Sequence, residues 1–211
     1  VYPPVWMETE GIKRLYNYAD KIVSVAYGVK YDLVEKFGIH EEIITTIYNF
    51  IDKEKICEKM NDEIDSEILE FTNGAKVIIN IGRLHEQKNQ KTILVQFSRL
   101  IQMDKTIRLL IIGTGAEKEN LQALIVQLKL EQYVKIIPYG SNPFPYYKLA
   151  ALFVLTSKYE GLPNVLLEAM VCGVPIVATD CLSGPRELLQ DRFNYKERIT
   201  GYKICDRGIL V

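Results

Sequence analysis

From about residue 72 onward, short apolar runs and amphipathic stretches take turns along the chain. Residues 75–81 (AKVIINI), 107–112 (IRLLII), 133–138, 152–156 and 174–179 are short, mostly apolar runs that read as strands, the first as a buried one. Between them, residues 93–103 place apolar side chains at helical spacing, and residues 117–130 put Leu121, Leu124, Ile125 and Leu128 on one helical face. A short helix is predicted over 145–151, another after Glu160, and one more opening at Gly184-Pro185-Arg186-Glu187. Residues 201–205 and 209–211 close the chain as strands. Strands that alternate with helical connections imply an α/β fold with a doubly wound parallel sheet. Ligands of such sheets bind beyond the carboxyl ends of the strands. The runs ending at Gly82, Gly113, Thr156 and Thr179 all deliver their loops to that edge.

The first 70 residues follow another pattern. Residues 22–26 (IVSVA) and 43–48 (IITTIY) predict strands, 31–37 a helix, and the charged stretch 53–69 a surface helix or linker. That stretch is too short for a complete second domain. Residues 1–50 are therefore expected to be the tail of a preceding domain and a hinge, and residues 51–211 the ligand-binding domain with its C-terminal end truncated. A start on Val1 and an end on an apolar strand carry the same expectation, a piece of a longer protein.

Composition narrows the function classes. The 211 residues are 48% hydrophobic and 25% charged with a net charge of −1, values of an ordinary globular protein. A near-neutral chain offers no bulk attraction to a polyanion, which argues against nucleic acid as a partner. Cys57, Cys172, Cys181 and Cys205 form no CxxC, and only His40 and His85 are present, so a zinc site is not expected. Reduced thiols suit a cytoplasmic protein. No apolar stretch reaches the ~20 residues of a membrane-spanning helix.

The candidate chemistry lies around two carboxylates. Glu160 and Glu168 stand eight positions apart across a predicted helix start, where Gly161 breaks the chain and Pro163 suits the first helical position. Helix side chains tilt toward the N-terminus, so Glu168 leans back toward Glu160 and the unpaired N–H groups of the first turn. Acceptors and donors sharing one mouth suit a polyhydroxylated ligand that carries phosphate, a sugar nucleotide. A capping acid and a solvated helix face would also account for the two glutamates, but Leu166, Leu167, Ala169 and Met170 around Glu168 make solvation awkward. Arg83 and Lys88 sit between a strand and a helix, where a planar fork and a point charge could clamp a diphosphate or simply form a solvated basic turn. Gly113-Thr114-Gly115 is half a dinucleotide fingerprint, with Lys118 where the third glycine belongs; it is either a tight turn or a close approach to a nucleotide. Asn164 could bond ligand hydroxyls or cap a turn, and His85 reads as a surface histidine. No Asp-x-Asp occurs, so no divalent-metal clamp is expected. Positive charge on a diphosphate would come from Arg83, Lys88 and helix N-termini.

The runs GRLHEQKN (82–89), LLIIGTG (109–115), YGSNPFPYYKLAALFVLTSKYEGLPNVLLEAMVCGVPIVATD (139–180) and SGPREL (183–188) resemble the C-terminal donor-binding domain of retaining glycosyltransferases of family 4. These enzymes have the GT-B architecture of two facing Rossmann-like domains. Residues 19–39 and 45–52 are similar to the stretch that enters the hinge. Among members, the likeness is to bacterial enzymes that build capsular, O-antigen or related surface glycans. The resemblance implies transfer of a hexose, with retained anomeric configuration, from a nucleotide diphosphate sugar to a carbohydrate or lipid-linked acceptor, with UDP as the nucleotide. It implies that Arg83 and Lys88 hold the donor diphosphate and that Glu160 acts beside the donor sugar as the catalytic candidate. Gly161, Leu162, Pro163 and Asn164 would meet the sugar, and Glu168 the nucleotide ribose, with Gly113 and Gly115 near the nucleotide. No metal or cofactor is implied. The setting would be cytoplasmic, at the inner face of the membrane, with any membrane association through missing parts. Two departures stand out: Ala150-Ala151 replaces the family's Ala-Asp, and the N-terminal domain with its acceptor site and catalytic His has no counterpart here. The isolated piece is accordingly expected to be inactive. Alternatives are a nucleotide-sugar epimerase of the same architecture and a non-catalytic sugar-nucleotide-binding module.

Overall fold

The computed structural model describes residues 9–211 apart from 141, 182 and 198. Apolar runs that can be buried on both faces become the centre of a seven-stranded sheet. Its strands are β3 (Lys76–Ile81), β4 (Ile107–Ile112), β5 (Val134–Ile137), β6 (Ala150–Leu155), β7 (Ile176–Ala178), β8 (Lys203–Cys205) and β9 (Gly208–Leu210), in the order β5-β4-β3-β6-β7-β9-β8. All neighbours pair parallel except β8 with β9. Alternate residues of each strand feed two cores. On one face α5 (Gln90–Met103) and α6 (Lys118–Gln127) bring Leu94, Phe97, Leu121 and Ile125 against Leu109 and Ile111. On the other, α7 (Phe144–Leu149), α8 (Asn164–Val171) and α9 (Pro185–Leu189) bring Tyr147, Leu166 and Leu189 against Ile79, Leu110 and Phe153. This is the doubly wound α/β sheet that the alternation predicted.

The chain winds outward from β3 through β4 to β5, then crosses back to lay β6 on the other side of β3. That reversal is where such sheets open a crevice. Pairing between β3 and β6 reaches only Ile79 with Phe153, although β3 continues to Ile81 and β6 to Leu155. The Asn80 side chain spans the gap, its Nδ2 donating to the Val154 carbonyl at 2.8 Å.

Before the sheet come α1 (Thr9–Tyr16), β1 (Ile22–Ser24), α2 (Tyr27–Glu35), β2 (Ile44–Thr46), α3 (Lys53–Lys59) and α4 (Ser66–Thr72). β1 and β2 pair parallel in a sheet of their own with α2 as the crossover. Several expectations need correction. α1 was not anticipated, and α2 begins four residues before the expected 31–37. The stretch 53–69 forms two helices rather than one helix or linker. Each is started by an aspartate: Asp52 accepts from the Lys55 N–H and Asp65 from the Glu67 N–H, at 2.9 and 2.8 Å. Pro163 precedes α8 as its cap residue, and Asn164 is the first helical position. Among the described residues, no helix is long and apolar enough to cross a membrane.

Candidate functional site

The loops after β3 and β6 leave the sheet on either side of the crevice and are tied to each other. After Gly82 and Arg83, a buried Leu84 anchors the first loop, and His85 starts a single 3-10 turn by accepting the Gln87 N–H on Nδ1 at 3.2 Å. Asn89 then takes a left-handed conformation, φ 51°, to turn the chain into α5. Across the crevice, the Thr156 hydroxyl donates to the carbonyls of Lys88 and Asn89, both at 3.0 Å. Gln87 Nε2 donates to the Tyr159 carbonyl at 2.9 Å, and the Lys158 N–H returns to the Gln87 carbonyl at 2.8 Å. Two loops 70 positions apart in sequence thus behave as one wall.

That wall holds an ion pair. Lys88 Nζ lies 2.5 Å from Glu160 Oε1, and the Ser157 hydroxyl donates to the same oxygen at 2.5 Å. Their side chains are only 14% and 7% exposed. Arg83 is exposed and, among the described residues, its guanidinium has no hydrogen-bond or ion-pair partner. A cleft of about 420 Å³ is lined by Arg83, Lys88, Thr114, Tyr139, Glu160 and Asn164. Leu162, Pro163 and Val165 complete its floor at the start of α8. The first amides of that helix lack intrahelical partners and favour negative charge. One mouth therefore presents an unpaired cation, a paired cation, a carboxylate and helix amides.

Glu168 lies one turn beyond Val165, behind the lining. The Tyr147 hydroxyl donates to its Oε2 at 3.0 Å, and burial raises its carboxyl above the usual carboxylate range, the Tyr147 bond opposing that shift. At the cleft, burial and then the Glu168 charge push the Tyr139 hydroxyl up. Gly161 is turned away from the cleft, and a Cβ there would meet Val25 Cγ2 at 3.4 Å. Gly113 and Gly115 also sit outside the lining. A Cβ on Gly113 would fall 2.0 Å from the Gly82 carbonyl oxygen, and one on Gly115 would fall 2.2 Å from that of Leu84. These glycines let the β3 and β4 loops touch backbone to backbone, which places Thr114 in the cleft. Asn164 neither caps a turn nor stands free: its Oδ1 accepts from Asn49 Nδ2 at 2.6 Å.

Residues 61–203, more than half of the chain, match the family model described as Glycosyl transferases group 1. The chain belongs to this family. An uncharacterized glycosyltransferase of Methanocaldococcus jannaschii is 33% identical over 198 residues, which cover 94% of this chain and 49% of that protein. The Campylobacter jejuni N-acetylgalactosamine-N,N'-diacetylbacillosaminyl-diphospho-undecaprenol 4-alpha-N-acetylgalactosaminyltransferase is 36% identical over 181 residues, covering 85% and 47%. Among solved structures, Anabaena HepE in complex with UDP and glucose is similar with a TM-score of 0.73 at 19% identity, covering 88% of this chain and 52% of that one. The fold is accordingly the α/β fold of GT-B glycosyltransferase structures. The chain spans about half the length of the curated relatives it matches.

In this group 1 glycosyltransferase chain, the structure brings Arg83, Lys88, Glu160, Leu162, Pro163 and Asn164 to one cleft. It sets Gly161, Glu168, Gly113 and Gly115 just behind it. Sequence reasoning missed Gln87, Thr156, Ser157 and Tyr139, whose polar groups have no distinctive spacing. Arg186, in the run that opens the last predicted helix, stays outside the lining. That residue is 1% exposed and wholly engaged, with Nε 2.8 Å and Nη2 2.5 Å from the Asp180 carboxylate and Nη1 on the carbonyls of Asn194 and Glu197. It holds the 194–197 loop rather than a ligand.

Proposed function

We propose that the cleft is the donor site of a glycosyltransferase that transfers a hexose with retention from UDP-sugar to a glycan or lipid-linked acceptor, without a metal. The observation that carries the reading is the convergence of Arg83, Lys88 and Glu160 at the strand reversal of a group 1 glycosyltransferase chain. On this reading Arg83, Lys88 and the amides of α8 bear the negative charge that grows on the departing diphosphate, an interaction strongest in the transition state. Glu160 faces the sugar, and Glu168 accepts from the ribose. The UDP and glucose complex of HepE and the glycan-building names of the relatives support the donor and acceptor classes. Residues 51–211 would be the donor-binding domain, and residues 1–50 the tail of a preceding domain with its hinge. The two-stranded β1–β2 sheet, with Val23 60% exposed and Ile47, just past β2, 58% exposed, supports that division, because two strands alone make no self-sufficient sheet.

Titration of UDP by calorimetry tests the assignment. Replacing Lys88→Ala removes a charge-assisted contact, so affinity should fall about 10- to 100-fold. UDP binding that ignores both Lys88→Ala and Arg83→Ala would sink it.

A further inference from the structure

Glu187 is a buried carboxylate, 8% exposed, that lies outside the cleft lining and accepts hydrogen bonds from residues about 140 to 160 positions away, with the Tyr195 hydroxyl also facing it. Its Oε1 accepts the Gly28 N–H at 2.6 Å, and its Oε2 accepts the Tyr27 N–H and the Tyr48 hydroxyl, both at 2.8 Å. Tyr27 and Gly28 open α2, whose own cap residue, Ala26, supplies no side-chain acceptor. The acid of α9 therefore caps a helix on the far unit, where unpaired amides and the helix dipole both favour negative charge. Tyr48 stands just past β2. One side chain thus grips the β1–α2–β2 unit just past the carboxyl ends of both its strands. Only an acceptor-only group suits three converging donors; an amide would turn its own N–H groups on one of them. The Tyr48 and Tyr195 hydroxyls are pushed well up by burial and by Glu187.

The element that carries Glu187 is also pressed against the cleft wall. Immediately ahead of α9, the Ser183 hydroxyl donates to the Glu160 carbonyl. A Cβ on Gly184 would lie 2.4 Å from the Gly161 carbonyl oxygen and 2.5 Å from Pro163 Cδ. From the other side Val25 approaches Gly161, and Asn49 bonds Asn164. The loop from Glu160 to Asn164 is clasped between the start of α9 and the β1–α2–β2 unit, and Glu187 bonds the two sides of the clasp together, beside the stack of Tyr31 on Tyr195.

We propose that Glu187 is a positioning residue: by latching the β1–α2–β2 unit to α9, it fixes the place of the Glu160 carboxylate and the first amides of α8 at the cleft. The consequence for donor binding rests on the function proposed above; the latch itself does not. Hydrogen exchange on the 211-residue chain reads it directly. In Glu187→Gln, the Leu166 amide, which bonds the Pro163 carbonyl, should exchange about tenfold faster while those of β3 and β4 keep their protection, since local opening is set by local contacts. UDP affinity should fall about fivefold or more in the same variant, as a displaced helix terminus loses its charge-assisted contacts. Should Glu187→Gln fail to fold, Tyr48→Phe decides, because it removes one hydroxyl and leaves both backbone bonds. It should speed exchange of the Leu166 amide about two- to fivefold. Unchanged exchange there in Tyr48→Phe overturns the latch. A wild-type chain that binds no UDP overturns the donor-site reading, and exchange still decides the role of Glu187.

Discussion

Glu168 shows how a single side chain can be held at a cost. Burial opposes its ionisation, and the Tyr147 hydroxyl offsets only part of that penalty. A carboxyl whose folded pKa lies above its unfolded one carries no penalty in acid, where it is neutral in both states. Its contribution turns unfavourable as pH rises through the folded value. Glu168→Gln keeps an acceptor for Tyr147 and removes the charge. The variant should therefore melt higher than the parent at neutral pH, with the difference vanishing on acidification, as scanning calorimetry at several pH values would show. If Glu168 also receives the ribose, UDP affinity in the same variant should fall about tenfold or more, the scale of a lost hydrogen bond to a charged group. Higher stability with weaker binding is the pattern of a residue kept for its ligand.

At the scale of elements, the chain is most legible where burial is uniform. Residues 107–112 become β4 with the expected bounds because a strand covered on both faces writes an almost wholly apolar run, here interrupted only by Arg108 near its start. The start of α2 was illegible because its cap, Glu187, comes from another element, and no local signal marks such a partner. The split of 53–69 into α3 and α4 was readable in principle, since Asp52 and Asp65 stand where caps belong. Asp52→Ala should cost about 1 kcal/mol in a denaturant titration, the usual worth of such a cap. Of the cleft, the convergence of Arg83, Lys88 and Glu160 could be foreseen, because parallel strands send their loops to one edge. The reason for Gly113 and Gly115 could not, because it lies in the backbones of Gly82 and Leu84. Ser157 and Thr156 escaped for the same reason: their worth depends on partners about 70 positions away or on Glu160 itself.

For the whole molecule, a net charge of −1 leaves no broad field to draw in an anion, so attraction must be local. Of the two cations in the cleft, Lys88 is already matched by Glu160, and Arg83 alone has no partner among the described residues. On the donor-site reading, UDP affinity measured from about 50 to about 500 mM salt should weaken as for one uncompensated charge rather than two. The reason is that an arriving diphosphate does not simply occupy a vacant positive seat. It must trade places with a carboxylate at the Lys88 ammonium, and the oxygen so set free is left facing the hydroxyls of whatever sugar came with it. Recognition of the phosphate and readiness toward the sugar would then be two sides of one exchange.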